Sequence, residues 1–224
     1  MNTHSATAAD GRSPATVASP DRRARPHGKP AVGRDRVLAS AARLFVEQGY
    51  AATTTRQISA AVGIKQPSLY YHFPNKAAIL VELLVATAEP SMLAARDMLA
   101  DRDRSPLDRL IELIDFDVRL LASGPWNIGS LYLLPETAAP ECVRFRELRS
   151  ELAAAYETLV SAAIAAGEAN VESGPRTAAL LFSLVEGVIL RRNDASDIDA
   201  EQIARDIQQA AIRVLGATPG RDRA

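Results

Sequence analysis

Cysteine is almost missing from this chain: Cys142 stands alone, so no disulfide can form within it. That usage fits a reducing compartment, and a cytoplasmic location is the expectation. Histidine is nearly as scarce. His4, His27 and His72 are scattered, and with one cysteine they are too few for a zinc site. No metal and no cofactor are expected. No His-Glu-x-x-His, Gly-x-Ser-x-Gly or glycine-rich phosphate loop occurs, so no catalytic residue is nominated. Asp115 and Asp117 lie two apart on a helical stretch, face different ways, and read as solvated. The amino terminus lacks a continuous apolar segment, which argues against a secretory signal. The run Ala178 to Leu190 contains Glu186 and is too short to span a bilayer, so no membrane partner is expected. Sustained strand alternation is absent throughout, and the fold class is therefore all-α.

What remains is ordinary bulk with an uneven charge. The 224 residues are 47% hydrophobic and 24% charged, a composition that supports a soluble core of one large or two small domains. The net charge of −1 conceals a split. Between Arg22 and Lys76, ten Lys or Arg stand against two acids, Asp35 and Glu47. From Ala77 onward, fifteen basic residues face twenty-three acidic ones. A positive end for a polyanion and a negative end held away from it would produce this pattern, as would chance variation along a chain.

The segment Thr54 to Lys76 is the most informative. Thr54 followed three residues later by Gln57 forms a capping box that closes orphan amides at a helix start. Ile58 and Val62 fall four apart on one buried face. Gly63 gives the freedom for a sharp turn. Pro67 sits in the first turn of a second helix, where its missing N–H costs nothing. Leu69 and Phe73 are again four apart, and Pro74-Asn75 ends the helix before Lys76 starts another. Helices this short are unstable alone. Packed on a common core they make a helix-turn-helix, whose second helix enters the DNA major groove.

These residues resemble the TetR family of bacterial transcriptional regulators. The resemblance rests on Gly49-Tyr50, Thr53-Thr54-Thr55, Ile58, Gly63, Leu69-Tyr70-Tyr71-His72-Phe73 and Asn75-Lys76. It covers residues 33 to 80, about a fifth of the chain. It implies an amino-terminal three-helix DNA-binding domain and a carboxy-terminal helical bundle, about nine helices in all. The expected division is a disordered basic arm over 1–32, the helix-turn-helix domain over 33–78, an effector-binding and dimerisation domain over 79–216, and a disordered tail over 217–224. The arm, with Arg22, Arg23, Arg25, His27 and Lys29, either follows DNA or is a solvated tail.

Candidate DNA contacts follow from position. Gln66, Pro67 and Ser68 open the recognition helix and point toward base edges: Gln to adenine, Pro to a thymine methyl, Ser to either base type. The resemblance adds Thr54 and Arg56 on the preceding helix, Arg56 plausibly to guanine. Tyr70, Tyr71, His72 and Lys76 read as phosphate contacts, with packing as the alternative for the two tyrosines. Lys65 replaces the Ser or Thr cap common in relatives, and its part in DNA contact stays open.

Further along, apolar periodicity predicts helices over about 34–48, 76–99 with a kink or break at Pro90, 106–122 capped by Ser105, 126–133 after Gly124-Pro125, 141–166 closed by Gly167, 174–192, and 199–216 capped by Asp199 with Gln202. The helix over 174–192 is apolar nearly all round. It is either the centre of a monomeric bundle or the seam of a homodimer. The resemblance favours the dimer, with Leu180, Leu184, Val188, Ile203 and Ile207 as interface candidates. Met92, Phe116, Trp126 and Tyr132 cluster around the Gly124-Pro125 break and, with Phe145 and Arg119, are candidates to line an effector pocket, with core packing or ordinary ion pairing as the alternative. The expected partners are thus a palindromic or near-palindromic duplex operator, a second copy, and an unidentified small molecule. The function read from these residues is a sequence-specific transcriptional regulator, a repressor released by its effector. The rivals are a ligand-independent architectural DNA-binding protein and a helical enzyme with an incidental helix-turn-helix.

Overall fold

The computed structural model describes residues 33–194 and 198–217, and among these every regular element is helical. The α-helices are α1 (Arg34–Gln48), α2 (Thr55–Val62), α3 (Gln66–His72), α4 (Lys76–Ala100), α5 (Pro106–Ala122), α6 (Val143–Ala165), α7 (Gly174–Asp194) and α8 (Ala200–Val214). The short helix expected over 126–133 is a 3-10 helix, Ile128–Leu133, so each of the nine expected elements has a counterpart. Two further 3-10 turns, Pro135–Ala138 and Pro140–Cys142, were not anticipated. The basic arm over 1–32 and the tail from 218 lie outside the described residues.

Local chemistry accounts for the boundaries of the first three helices. Both bonds of the capping box are made: Gln57 N donates to Thr54 Oγ1 at 3.2 Å, and Thr54 N donates to Gln57 Oε1 at 2.7 Å. Gly63 adopts the left-handed conformation at φ 77°, and the amides of Gly63 and Ile64 close back on Ala60 and Ser59. Lys65 provides no side-chain cap for α3. Val37, Ala41, Phe45, Ile58, Leu69 and Phe73 fill the small core among them.

α4 differs from expectation in one respect. It runs unbroken for 25 residues with Pro90 inside it. The missing N–H of Pro90 is tolerated because the flanking turns are held by packing: Ala88, Ser91, Met92 and Ala95 are all buried. By length and composition α4, rather than the 178–190 run, is the helix that could cross a membrane. Here its Ile79, Leu80, Leu83 and Leu84 are spent on the protein core. At the other end of the chain, Asp199 caps α8 alone, accepting from Glu201 and Gln202 amides, while the Gln202 side chain turns to Asp206.

α4 packs against α5 and α6, α7 against α5 and α6, and α8 against α5. The 3-10 helix Ile128–Leu133 lies against α1, α4 and α7. Its approach to α7 needs Gly129, where a Cβ would stand 2.8 Å from Ile189 Cγ1. Arg192 anchors the preceding turn by donating to the carbonyls of Leu121, Ser123 and Gly124.

This packing divides the proposed seam residues. Val188, Ile203 and Ile207 are buried within the protomer's own core and are not available to a partner. Helical spacing explains Val188, which falls in line with Leu181 and Val185 on the inward stripe. The outward row is Leu180, Ser183, Leu184, Gly187 and Leu190, with Leu180 and Leu190 each 55% exposed and Leu184 half-buried. Val188→Glu would place an unpaired charge in the core and is expected to abolish cooperative unfolding. Leu180→Glu is expected to leave the protomer's helical content unchanged. Circular dichroism melts of the two variants check this.

Candidate nucleic-acid interface and core cavity

The sequence of α2 and α3 leaves a row of side chains uncovered. Arg56, Lys65, Pro67, Ser68, Tyr70 and Tyr71 are exposed, as is Thr54 at the cap. Tyr71 is 87% exposed, which rules out packing as its reason for being aromatic. Its ring meets only the edge of His72, at 5.3 Å between centroids. Tyr70 is 47% exposed, with its hydroxyl 3.1 Å from Thr55 Oγ1. Gln66 reaches the same hydroxyl at 3.3 Å, so Thr55 holds two α3 side chains in place. The tyrosine of this region that does belong to the core is Tyr50, packed edge-on to Phe45.

Lys76 departs from its assigned role. Its ammonium donates to the carbonyls of Tyr50 at 2.7 Å and Thr53 at 2.8 Å, and lies 4.1 Å from the Tyr50 ring centroid. Burial lowers its pKa. The ammonium closes the α1–α2 turn onto the start of α4 and is not directed at a phosphate. Arg34 and Glu82 form a second link between α1 and α4.

The carboxy-terminal helices enclose a narrow cavity of about 20 Å³, lined by Thr87, Ala88 and Ser91 of α4, Asp117 and Leu121 of α5, Tyr132 of the 3-10 helix, Arg149 and Leu152 of α6, and Phe182, Val185 and Glu186 of α7. That is room for roughly one water. Among the six residues expected to line a pocket, only Tyr132 does so. Phe145 stacks behind Tyr132 at 4.8 Å, and Met92 lies in the core. Phe116 and Arg119 are on the outer side of α5, where Arg119 pairs with Asp115 and Glu201. Trp126 lies in the turn, half-buried and away from the cavity. The physical reason is periodicity: each residue advances about 100° round a helix, so Phe116 cannot share Asp117's direction.

Asp117 is the residue that sequence reasoning misjudged. It is 2% exposed, not solvated. Its Oδ2 accepts the Tyr156 hydroxyl at 2.6 Å, while Oδ1 has no hydrogen-bond partner. Burial lifts its pKa to about 6, against the lowering effect of the Tyr156 and Ser91 hydroxyls. Asp115, by contrast, is satisfied by Arg119 and Gln208. The signal was available: Asp117 falls three after Ile114 and four after Leu113, on the apolar stripe of α5. At the cavity mouth Arg149 and Glu186 form a bidentate pair, Nε to Oε1 at 2.9 Å and Nη2 to Oε2 at 2.6 Å. Tyr132 closes another side by donating to Thr87 Oγ1 at 3.0 Å, and burial raises its pKa to about 12. No group of three metal-capable side chains occurs among the described residues.

The profile of the family described as bacterial regulatory proteins, tetR family, matches residues 37–83, which span α1 to the first turns of α4. Over a much longer stretch, the crystal structure of AmtR from Mycobacterium smegmatis is 38% identical, covers 88% of this chain and 90% of its own, and superposes with a TM-score of 0.76. The chain belongs to the tetR family. The HTH-type transcriptional repressor KstR2 of Mycolicibacterium smegmatis is 35% identical over 85 residues, 38% of this chain and 41% of KstR2. The match thus spans about two fifths of that relative's length. The crystal structure of AibR in complex with isovaleryl coenzyme A and operator DNA shares the fold, with a TM-score of 0.68 over 83% of this chain and 99% of AibR, at 19% identity. Within this tetR-family chain, then, the family profile ends in the first turns of α4, and the cavity is lined by residues beyond it, from Thr87 onward.

Two outcomes are expected. Lys76→Ala leaves carbonyls of the 50–53 turn short of a donor and should destabilise the protein by about 1–3 kcal/mol in denaturant titration. For Asp117, a folded-state pKa raised from 3.8 to about 6 means stability present at low pH and lost as pH rises through 6. Asp117→Asn should therefore be more stable than the parent above pH 6, by about 1–3 kcal/mol, with the gap closing toward pH 4. Paired melts across that range check it.

Proposed function

We propose that this protein is a repressor of transcription that binds duplex DNA through α3 as a homodimer and is released by a small molecule entering the core cavity. The observation that carries the reading is the uncovered row on α2 and α3, above all Tyr71, standing on a domain whose closing helix α4 also walls the cavity. Gln66, Pro67 and Ser68 take base edges, Arg56 a guanine, and Thr54, Tyr70, Tyr71 and His72 phosphates. Lys65 is exposed at the start of α3 and joins the phosphate contacts. The homodimer forms on the outward leucine row of α7. KstR2 is named a repressor, and AibR's structure holds an acyl-coenzyme A together with operator DNA. Those names support a repressor that answers to a ligand.

A route from cavity to DNA-binding domain runs through two elements. α4 carries Thr87, Ala88 and Ser91 at the cavity and Lys76 in the clasp on Tyr50. The 3-10 segment carries Tyr132 at the cavity and leads to Glu136, whose charge bears on both Tyr50 and Lys76. A ligand that displaces Tyr132 from Thr87 shifts both, and with them the spacing of two recognition helices. Such a switch requires the ligand to bind the two states unequally. The architectural, ligand-free reading has one observation in its favour: the cavity as it stands holds about one water. A larger ligand needs the Arg149–Glu186 pair to open.

The test begins with genomic DNA selected by the purified protein. Enriched sites should be two-fold, with half-sites roughly 34–36 Å or a related spacing apart. Gln66→Ala should relax preference at particular base pairs, worth about 1–3 kcal/mol, and leave random-DNA affinity unchanged. Leu180→Glu should sediment as a monomer and lose operator binding. Equal losses on specific and random DNA, or a dimer that survives Leu180→Glu, contradict the assignment.

A further inference from the structure

The polar lining of the cavity is out of balance. Two carboxylates, Asp117 and Glu186, face it with one guanidinium, Arg149. Glu186 takes both forks of that guanidinium, so Asp117 has no cation of its own. Its Oδ1 is buried and unpartnered, an arrangement that costs free energy unless something arrives to donate. Around Arg149 stand three aromatic rings, Tyr132 at 5.5 Å, Phe145 at 5.8 Å and Phe182 at 5.9 Å, all within the range at which a ring face attracts a cation. The protein thus fits one cation of its own among aromatic rings at the cavity mouth and keeps a second carboxylate waiting behind it. Arg149 and Glu186 side chains are 34% and 26% exposed, so the pair already borders solvent on its outer side.

We infer that this cavity is a recognition subsite for a small organic monocation, an aliphatic ammonium or guanidinium, whose N–H groups bond Asp117 Oδ1 and whose chain fills the ring-lined space that Arg149 vacates. The inference rests on the proposed effector role of the cavity and names the chemistry that role would use. An anion finds no free positive group here, because Glu186 already neutralises Arg149. A neutral alcohol can donate to Asp117 but leaves its charge unmatched. The groups facing Asp117 are Ser91 and Thr87 from α4, Tyr156 and Arg149 from α6, Glu186 from α7 and Tyr132 from the 3-10 helix. Of these, Glu186 raises its pKa and the Tyr156 and Ser91 hydroxyls lower it. A cation selects the ionised carboxylate, so its binding strengthens as pH rises through 6.

Isothermal titration of the full-length protein, with no DNA present, decides this. The probes are n-butylammonium, n-butylguanidinium, 1-butanol and butyrate, all at neutral pH. The cations should saturate and bind about tenfold more tightly than butanol or butyrate. Asp117→Asn should weaken them by about tenfold, and Arg149→Ala, which empties the ring-lined space, should tighten them by about threefold. Should Asp117→Asn fail to fold, the parent protein's own selectivity and a roughly tenfold weakening from neutral pH to pH 5 carry the same information. Butyrate or butanol binding as well as the cations, unchanged cation affinity in Asp117→Asn, or no cation binding to either the parent or Arg149→Ala would overturn the inference. Cation binding that leaves operator affinity unaltered ends the effector proposal but not the subsite. Release of DNA by an effector of other chemistry, with the cations silent, does the reverse.

Discussion

α4 is the constraint on which the rest of the structure depends. Its first residue, Lys76, clasps the carbonyls of Tyr50 and Thr53, and Asn75 caps it through the Ala78 amide. Further along the same helix, Thr87, Ala88 and Ser91 form one wall of the cavity. The helix continues through Pro90, where the packing of Ala88, Ser91, Met92 and Ala95 holds the turns on either side. Interiors packed to crystal-like density transmit a displacement where a loose one would absorb it. In the proposed switch, a ligand that forces Tyr132 off Thr87 would therefore act on the same helix whose first residue holds the Tyr50–Thr53 turn.

The cavity shows the opposite principle: a local cost retained inside a well-packed bundle. Asp117, held 2% exposed with one oxygen unpartnered, works against stability at neutral pH. Groups that weaken the fold while facing a cavity are common at functional sites, where activity and stability compete. Tyr156 and Ser91 limit the cost without removing it. The aromatic rings around Arg149 add a preformed place for charge that the protein itself occupies at rest.

Much of this was legible in the residues. Thr54 with Gln57, Gly63 and Pro67 each carry one local mechanism, and each was realised because no tertiary contact opposes it. Ser105 and Asp199 mark helix starts for the same reason. What could not be read was direction. Lys76 looks like a phosphate contact until the Tyr50 carbonyl is seen within its reach, a contact between residues 26 apart. Val188 and Leu184 both belong to an apolar helix, and only packing against α5 and α6 decides which one faces inward. Asp117 and Glu186 each interrupt an apolar stripe, a trace of the cavity that the sequence held beside Tyr132. Phe116 and Arg119 drew attention by their chemistry and lie on the outer face of α5 that periodicity assigns them, while Trp126 sits in the turn that follows.

The central claim is that cavity and DNA-binding helices share one rigid connection. Linkage is reciprocal: a ligand that lowers DNA affinity from the cavity has its own affinity lowered by the same factor when DNA binds, so the DNA-bound state should be felt at the cavity walls. Amide hydrogen exchange of the free protein and of the protein bound to a selected genomic site measures this without knowing the effector. The account predicts changed protection at residues 50–76, and also at Thr87–Ser91 and in the 128–142 segment. Changes confined to 50–76, with the cavity walls exchanging as in the free protein, would contradict it.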